Sequence, residues 1–208
     1  MDQITIDSIF RRFEESMPQK YVKKILDARI YDLALETPVE KAPLLSQRFN
    51  NNILLKREDL QPVFSFKVRG AYNKLRCLSD AQRSAGVIAA SAGNHAQGLA
   101  LAAKKMNVNA TIVMPVTTPE IKVDAVRSRG ANVVLIGDNY DAAATHANQL
   151  VQEKGLTYIH PFDDPDIIAG QGTIGMEILR QLPGKLDAIF VAVGGGGLCA
   201  GVAAYVKY

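Results

Sequence analysis

The sequence predicts an α/β fold, because short β-rich runs alternate with helix-period patterns from residue 52 onward. In such an alternation the strands are parallel and the helices cover both faces of the sheet. The composition agrees, since 48% of the 208 residues are apolar and 22% are charged, which is typical of a globular domain. Two glycine-bearing strand-to-helix junctions, SAGNH and GGGGL, indicate where such a sheet would bind a ligand.

The elements follow in order along the chain. Segment 1–50 is mostly helical in pattern, with an extended piece from Val39 and a helix from Pro43. The strand and helix pairs after it are NILLKR and 67–78, GVIAAS and 94–105, ATIVMP and 119–129, NVVLIG and 139–154, TYIHP and 165–181, and AIFVAV and a helix from 197. AIFVAV is apolar on both faces, which predicts a central strand. A sheet ending one helix later, at Tyr208, would have an open edge, so we expect a fragment or a covered edge.

The charge pattern indicates neither a nucleic-acid nor a membrane partner. The net charge is +3, and basic residues alternate with acidic ones rather than forming blocks. Four glycines interrupt the apolar stretch at 186–206, so we expect no membrane span. Cys77 and Cys199 form no CxxC pattern and the three histidines no i, i+4 pair, so neither a metal site nor a disulfide is expected. Without a secretory signal pattern, the cytoplasm is the expected compartment.

Lys67 stands in an unusual place. It is alone among apolar neighbours in QPVFSFKVRGA, at the start of a helix whose apolar stripe is Val68, Ala71, Tyr72, Leu75 and Leu78. The helix dipole disfavours an ammonium there by about 0.3–1 kcal/mol, and burial would lower its pKa further. An easily neutralised amine suits a nucleophile or base. The ordinary alternative is a helix-start lysine with a snorkelling stem.

The SAGNH junction, residues 91–95, combines small residues with the start of a helix. Its backbone could approach a ligand closely, and the free N–H groups of the helix start suit an anion such as a carboxylate. The alternative is a tight, capped turn between strand and helix, which is common in α/β units.

The GGGGL junction, residues 194–198, joins two apolar elements, where a flexible linker is out of place. Four glycines cost about 0.5–1 kcal/mol each relative to alanine, a penalty that a close approach to phosphate explains. A rival is the dinucleotide fingerprint G-x-G-x-x-A, formed by Gly195, Gly197 and Ala200. Its acidic partner would lie beyond Tyr208, and a nicotinamide cofactor leaves Lys67 without a role. A phosphate cradle, a carboxylate site and a reactive lysine together suit pyridoxal phosphate and an amino-acid substrate.

Several segments resemble the fold-type II pyridoxal-phosphate enzymes, and among them the biosynthetic threonine dehydratases (threonine deaminases). They are LKREDLQPVFSFKVRGAY, SAGNHAQG, IKVDAVRSRGA, PFDDPDIIAGQGT and GGGGL, spread over about residues 25–208. The resemblance implies a tryptophan synthase β-like fold, with an incomplete large domain (1–70 and 171–208) and an inserted small domain (71–170). It also implies that the rest of the catalytic domain, with the partner of the pyridine nitrogen, and an isoleucine-binding regulatory region lie beyond Tyr208.

The resemblance assigns roles to individual residues, with pyridoxal 5′-phosphate as the cofactor. Lys67 is the catalytic residue and forms the Schiff base, Phe66 lines the cofactor ring, and Asn94 hydrogen-bonds the 3′ oxygen. The phosphate is bound by the backbone of the glycine loop: Gly194, Gly195, Gly196, Gly197 and Leu198. The substrate carboxylate is bound by the loop that precedes the second helix of the alternation: Ser91, Ala92, Gly93, Asn94 and His95.

The reaction implied is α,β-elimination, which converts L-threonine to 2-oxobutanoate and ammonia in isoleucine biosynthesis, and L-serine to pyruvate. His95 stands where cysteine and threonine synthases carry threonine. Ala92 stands where serine racemases carry a hydroxyl-bearing acid or base, so dehydration is expected over racemisation. The complete enzyme is expected to be a homo-oligomer. The alternatives are a catalytically silent fragment, a serine racemase and a nicotinamide-dependent oxidoreductase, and we expect the 208 residues alone to bind the cofactor weakly and turn over little substrate.

Overall fold

The structure is a computed structural model, and it describes residues 17–208. Its helices are α1 (Met17–Leu26), α2 (Pro43–Arg48), α3 (Lys67–Cys77), α4 (Asp80–Ala85), α5 (Asn94–Met106), α6 (Glu120–Arg127), α7 (Tyr140–Lys154), α8 (Pro165–Gln181) and α9 (Gly197–Val206), with a 3-10 turn at Glu58–Leu60. Its strands are β1 (Val39–Lys41), β2 (Leu54–Lys56), β3 (Val87–Ala90), β4 (Ala110–Met114), β5 (Asn132–Leu135) and β6 (Thr157–Tyr158). The helical pattern expected before residue 17 lies outside the described residues.

A four-stranded parallel sheet, in the order β5-β4-β3-β6, forms the centre of the region from residue 87 to residue 158. Successive side chains along its strands point to opposite faces of the sheet, and both faces are buried. Val87 and Ala89 face the cluster that contains residues of α3, α5 and α6, whereas Ile88 and Ala90 face α7. Helices therefore cover both sides of the sheet, and the predicted α/β fold is confirmed. Within residues 17–208, no helix is both long and apolar enough to cross a membrane.

Two predicted strands do not join the parallel sheet. NILLKR supplies β2, which pairs antiparallel with β1, with Val39 opposite Lys56, because the chain turns back through α2. The prediction of a central strand over AIFVAV is wrong: residues 188–193 form no β-ladder, and Phe190 is 97% exposed. A ladder needs a neighbouring backbone, and no strand within residues 17–208 pairs with this segment. The sequence pattern also missed α4, whose capping box joins Ser79 and Gln82.

Helix α3, which begins at Lys67, is held between α5 and α8 by glycines. A Cβ built on Gly170 of α8 would lie 2.6 Å from the Cα of Gly70 on α3, so the two backbones cross in contact. On the other side, a Cβ on Gly98 of α5 would lie 3.0 Å from the carbonyl carbon of Lys67. Because backbone atoms cannot rotate away, these glycines fix how closely both helices approach the first turns of α3.

Replacing Gly170 by alanine tests this crossing. We expect Gly170→Ala to lower the free energy of unfolding by about 1–3 kcal/mol, because the added methyl group meets backbone rather than a movable side chain. The measurement is urea unfolding followed by circular dichroism. Gly184→Ala is the matched control, since nothing lies within 4 Å of a Cβ there. A Gly170→Ala variant as stable as the control would contradict the close crossing.

Candidate active site

The amine of Lys67 lies near the start of α3 with a single hydrogen-bond acceptor. Its Nζ donates to the backbone carbonyl of Pro161 at 2.6 Å. The side chain is half-buried, and this burial lowers the pKa of Lys67 below its ordinary value. Within residues 17–208 no carboxylate forms an ion pair with it. The ring of Phe66 lies 5.4 Å from Nζ. The direction of this pKa shift agrees with the expectation from the sequence.

The turn 160–162, which follows β6, joins the lysine to the rest of the site. His160 Nδ1 accepts hydrogen bonds from the backbone N–H groups of Phe162, at 3.3 Å, and Asp163, at 2.7 Å. The rings of His160 and Phe162 meet edge-on with centroids 4.6 Å apart. As an acceptor, Nδ1 therefore shapes the turn that presents the Pro161 carbonyl to Lys67.

The loop 91–95 follows β3 and leads into α5. The Ser91 backbone N–H donates to the Val113 carbonyl, and Ser91 Oγ accepts from the Gly93 N–H at 3.3 Å. Asn94 is exposed at the first position of α5. Because Gly98, one turn further along α5, touches the Lys67 backbone, this loop lies beside the lysine.

His95 is buried and ties the loop 91–95 to the end of β6. Its Nε2 lies 2.9 Å from the Ile159 carbonyl, which can only accept, so Nε2 carries the proton. Burial lowers the pKa of His95 to about 4, although the hydrogen bond to the Ile159 carbonyl opposes this shift. The ring is therefore neutral and structural in this position, while the backbone of the loop stays beside the lysine.

The glycine loop 194–197 leads into α9 and rests on Phe162. A Cβ on Gly195 would lie 2.2 Å from the Phe162 ring, and one on Gly197 would lie 2.5 Å from the Phe162 carbonyl oxygen. Gly194 and Gly196 face open space instead, and Gly196 has a left-handed φ of +90°. No hydrogen bond within residues 17–208 uses the N–H groups of 194–197. Free N–H donors at a helix start suit an anion such as phosphate.

The structure therefore brings together the lysine, the loop 91–95 and the glycine loop, all around turn 160–162. An amine with a lowered pKa, free N–H groups at the glycine loop and an exposed amide at Asn94 are the groups that pyridoxal phosphate would need. The hydroxyl of Ser65, two residues before the lysine, is buried without a partner, which leaves one more donor near this site. No group of three or more His, Cys, Asp or Glu residues suited to a metal occurs in the described part of the chain.

Sequence reasoning gave no individual role to His160, Pro161 and Phe162. They belong to a segment, PFDDPDIIAGQGT, that carries the family resemblance, and to the run TYIHP. A signal was present, since they directly follow the strand TY, and ligands gather at the carboxyl ends of parallel strands. The roles that the resemblance gives to Phe66, Leu198 and the residues of both loops remain predictions.

A family model decides the identity. The model described as pyridoxal-phosphate dependent enzyme matches residues 30–208.

The chain belongs to the pyridoxal-phosphate dependent enzyme family.

This assignment confirms the resemblance predicted from the motifs. Among curated members of the family, the chain is 61% identical over 188 residues to a biosynthetic, chloroplastic threonine dehydratase of Arabidopsis thaliana, a match covering 90% of this chain and 32% of that protein. It is 60% identical over 190 residues to a biosynthetic L-threonine dehydratase of Burkholderia multivorans, covering 90% of this chain and 38% of that protein.

Solved structures of the family give the same relationship. The processed form of threonine deaminase isoform 2 from Solanum lycopersicum superposes with a TM-score of 0.87 at 53% identity, covering 98% of this chain and 53% of that chain. Maize serine racemase superposes with a TM-score of 0.86 at 35% identity, covering 89% and 57% respectively. The chain spans about a third of the curated relatives and about half of the solved chains.

The neutral state of His95 predicts a pH dependence of stability. Its pKa falls from 6.5 to about 4 on folding, so between these values the unfolded chain binds the proton and the folded chain does not. Stability from this group is complete above pH 6.5 and decreases as the pH falls toward 4, by on the order of 3 kcal/mol. Urea unfolding across this range should show a shallower decrease for His95→Gln. His146→Gln should keep the wild-type slope, and identical slopes for wild type and His95→Gln would contradict the buried neutral ring.

Proposed function

We propose that this chain forms part of a pyridoxal-phosphate dependent L-threonine dehydratase, which converts L-threonine to 2-oxobutanoate and ammonia and L-serine to pyruvate. The observation that carries the proposal is the half-buried Lys67 amine. Within residues 17–208 it has no carboxylate partner, and turn 160–162 connects it to the glycine loop. Relatives at 56–61% identity that are named threonine dehydratases support the choice of substrate.

The residues present divide the work among themselves. Lys67 would hold the cofactor covalently, the N–H groups of 194–197 would bind its phosphate, and Asn94 and Phe66 would orient its ring. When bound, the cofactor supplies an electron sink for the substrate Cα. The loop 91–95 would bind the substrate carboxylate with backbone N–H groups. The Lys67 amine would then take the proton from Cα, and burial, which lowers its pKa, favours the neutral form that a base requires.

Ala92 argues for elimination over racemisation. Racemisation requires an acid or base on each face of the cofactor. Ala92 stands where serine racemases carry the second of these groups, and its methyl side chain cannot donate a proton. Serine racemases are also among the structural relatives, at lower identity than the threonine deaminase of Solanum lycopersicum. Serine racemase therefore stands as the second candidate, and a nicotinamide-dependent oxidoreductase has no support from the family.

The wider assignments belong to the same proposal. We place the reaction in isoleucine biosynthesis, in a homo-oligomer of the complete enzyme, with small amino acids as partners and neither nucleic acid nor membrane. The cytoplasm is our proposed compartment, although named relatives from plants are chloroplastic and that from Saccharomyces cerevisiae is mitochondrial. The division into a large domain (1–70 and 171–208) and an inserted small domain (71–170) is supported by the parallel sheet, which lies wholly between residues 87 and 158.

Trapping the cofactor on the protein tests the proposal. The purified chain is incubated with pyridoxal phosphate, reduced with borohydride and mapped by mass spectrometry. We expect one dominant adduct, on Lys67, because burial lowers the pKa of its amine whereas the buried amines of Lys56 and Lys74 pair with carboxylates. Lys67→Ala should abolish this adduct, together with any 2-oxobutanoate formed from L-threonine, whereas Lys105→Ala should change neither. Adducts spread over surface lysines, with no change in Lys67→Ala, would refute the role of Lys67.

A further inference from the structure

Arg69, two residues after Lys67, is a fully buried cation at 0% exposure. Every nitrogen of its guanidinium is bonded. Nε and Nη2 donate to the two oxygens of Glu58, at 2.8 and 2.7 Å, and Nη1 and Nη2 donate to the two oxygens of Glu177, at 2.5 and 2.9 Å. Thr173 Oγ1 and the Leu35 carbonyl accept further bonds. Two carboxylates thus each bind the planar guanidinium through two hydrogen bonds. Among side chains only arginine provides this fork of N–H donors.

The surroundings of Arg69 complete a balanced cluster. Lys56 Nζ lies 2.6 Å from Glu177, whose side chain is fully buried, and the Tyr31 hydroxyl donates to the same carboxylate at 2.8 Å. The Thr37 hydroxyl donates to Glu58 at 2.6 Å. Two cations therefore face two anions, and the remaining oxygens are satisfied by hydroxyl groups. A buried ionic cluster is tolerated only when it is satisfied in this way, so its geometry is strongly fixed.

The cluster acts on the turn of α3 that carries the lysine. Phe66, at the start of α3, supplies no side-chain cap. Instead, Arg69 ties this turn to the 3-10 turn through Glu58 and to α8 through Glu177, while Gln171 of α8 accepts from the Gly70 N–H at 3.2 Å. Residues two apart on a helix point to opposite sides, so Arg69 reaches into the cluster while Lys67 reaches to turn 160–162.

We propose that Arg69 is the positioning residue of Lys67: its fork between Glu58 and Glu177 sets where the first turn of α3 lies, and with it where the reactive amine lies. The inference rests on the proposed role of Lys67. It assigns to Arg69 no contact with cofactor or substrate. It predicts that the reactivity of Lys67 depends on the geometry of the fork as well as on its charge.

The test compares substitutions at two residues of α3 that each form ion pairs with α8. Arg69→Lys keeps the charge but loses the fork. Lys74→Met is the matched control, because Lys74 also joins α3 to α8, through Asp164 at 2.7 Å and Asp166 at 3.2 Å, but nearly two turns after Lys67. In each folded variant, the rate of borohydride-trapped pyridoxal phosphate on Lys67 is divided by the rate on surface lysines. We expect Arg69→Lys to lower this ratio about tenfold and Lys74→Met to change it less than about twofold.

The stability of each variant is measured by urea unfolding, so that the comparison is made among folded chains. If Arg69→Lys does not fold, Glu58→Gln, a nearly isosteric change that removes one carboxylate from the fork, takes its place with the same expectation. A wild-type ratio in either folded variant would overturn the proposal. So would failure of both to fold, because the cluster would then serve the whole fold rather than the lysine.

A second reagent separates this inference from the proposed function. Trace acetylation with acetic anhydride reports the reactivity of the Lys67 amine without any cofactor. If wild type forms no pyridoxal phosphate adduct on Lys67, the proposed function fails. If Arg69→Lys still lowers acetylation of Lys67 and Lys74→Met does not, the positioning role stands by itself, and equal acetylation in all three proteins would end it.

Discussion

The site depends on the hydrogen bond from the Lys67 amine to the backbone carbonyl of Pro161. Lys74 and Lys56 are also partly or largely buried, and each is paired with a carboxylate, Lys74 with Asp164 and Lys56 with Glu177. Burial lowers the pKa of Lys74, but hydrogen bonds to Asp164 and Asp166 outweigh it and raise the pKa. Lys67 has burial without the carboxylate, so its pKa is lowered. Lys67 and Lys74, on the same helix, therefore have pKa values shifted in opposite directions.

Close backbone contacts surround the helix turn that carries the Lys67 amine. Gly98 of α5 and Gly70 and Gly170 at the α3–α8 crossing let three helices meet around the first turns of α3. Glycines also permit close packing at the glycine loop, where Gly195 and Gly197 leave room for Phe162. Since Phe162 adjoins Pro161, whose carbonyl accepts from Lys67, one short turn contacts both the amine and the glycine loop. Small residues are used here to fix geometry rather than to provide flexibility.

Much of this could be predicted from sequence, because local patterns determine helix starts and strand alternation. Apolar periodicity predicts the start of α3 at Lys67, the start of α5 at Asn94 and the bounds of α8. The loop 91–95 and the glycine loop could be predicted because runs of small residues after apolar segments can be recognised in the sequence alone. The lowered pKa of Lys67 was also expected from its neighbours, although its partner was not.

Long-range contacts could not be predicted in the same way. Nothing in the run from residue 58 to residue 69 indicates that Arg69 would bond Glu177, 108 residues away. The bond from Lys67 to Pro161 likewise spans 94 residues. AIFVAV failed for the converse reason: its apolar character predicted a strand, but a strand also requires a partner backbone, which is a property of the fold rather than of the segment.

The most direct test is the titration of Lys67 itself. In a chain labelled with ¹⁵N at lysine side chains, NMR can follow each amine through the alkaline range, with Lys67→Arg and Lys74→Arg assigning the two signals. The structure predicts a pKa for Lys67 below 10.5 and a pKa for Lys74 above 10.5 in the same sample. A Lys67 that titrates at or above 10.5 would contradict the account, because an amine that stays protonated like any surface lysine could not serve as this site requires.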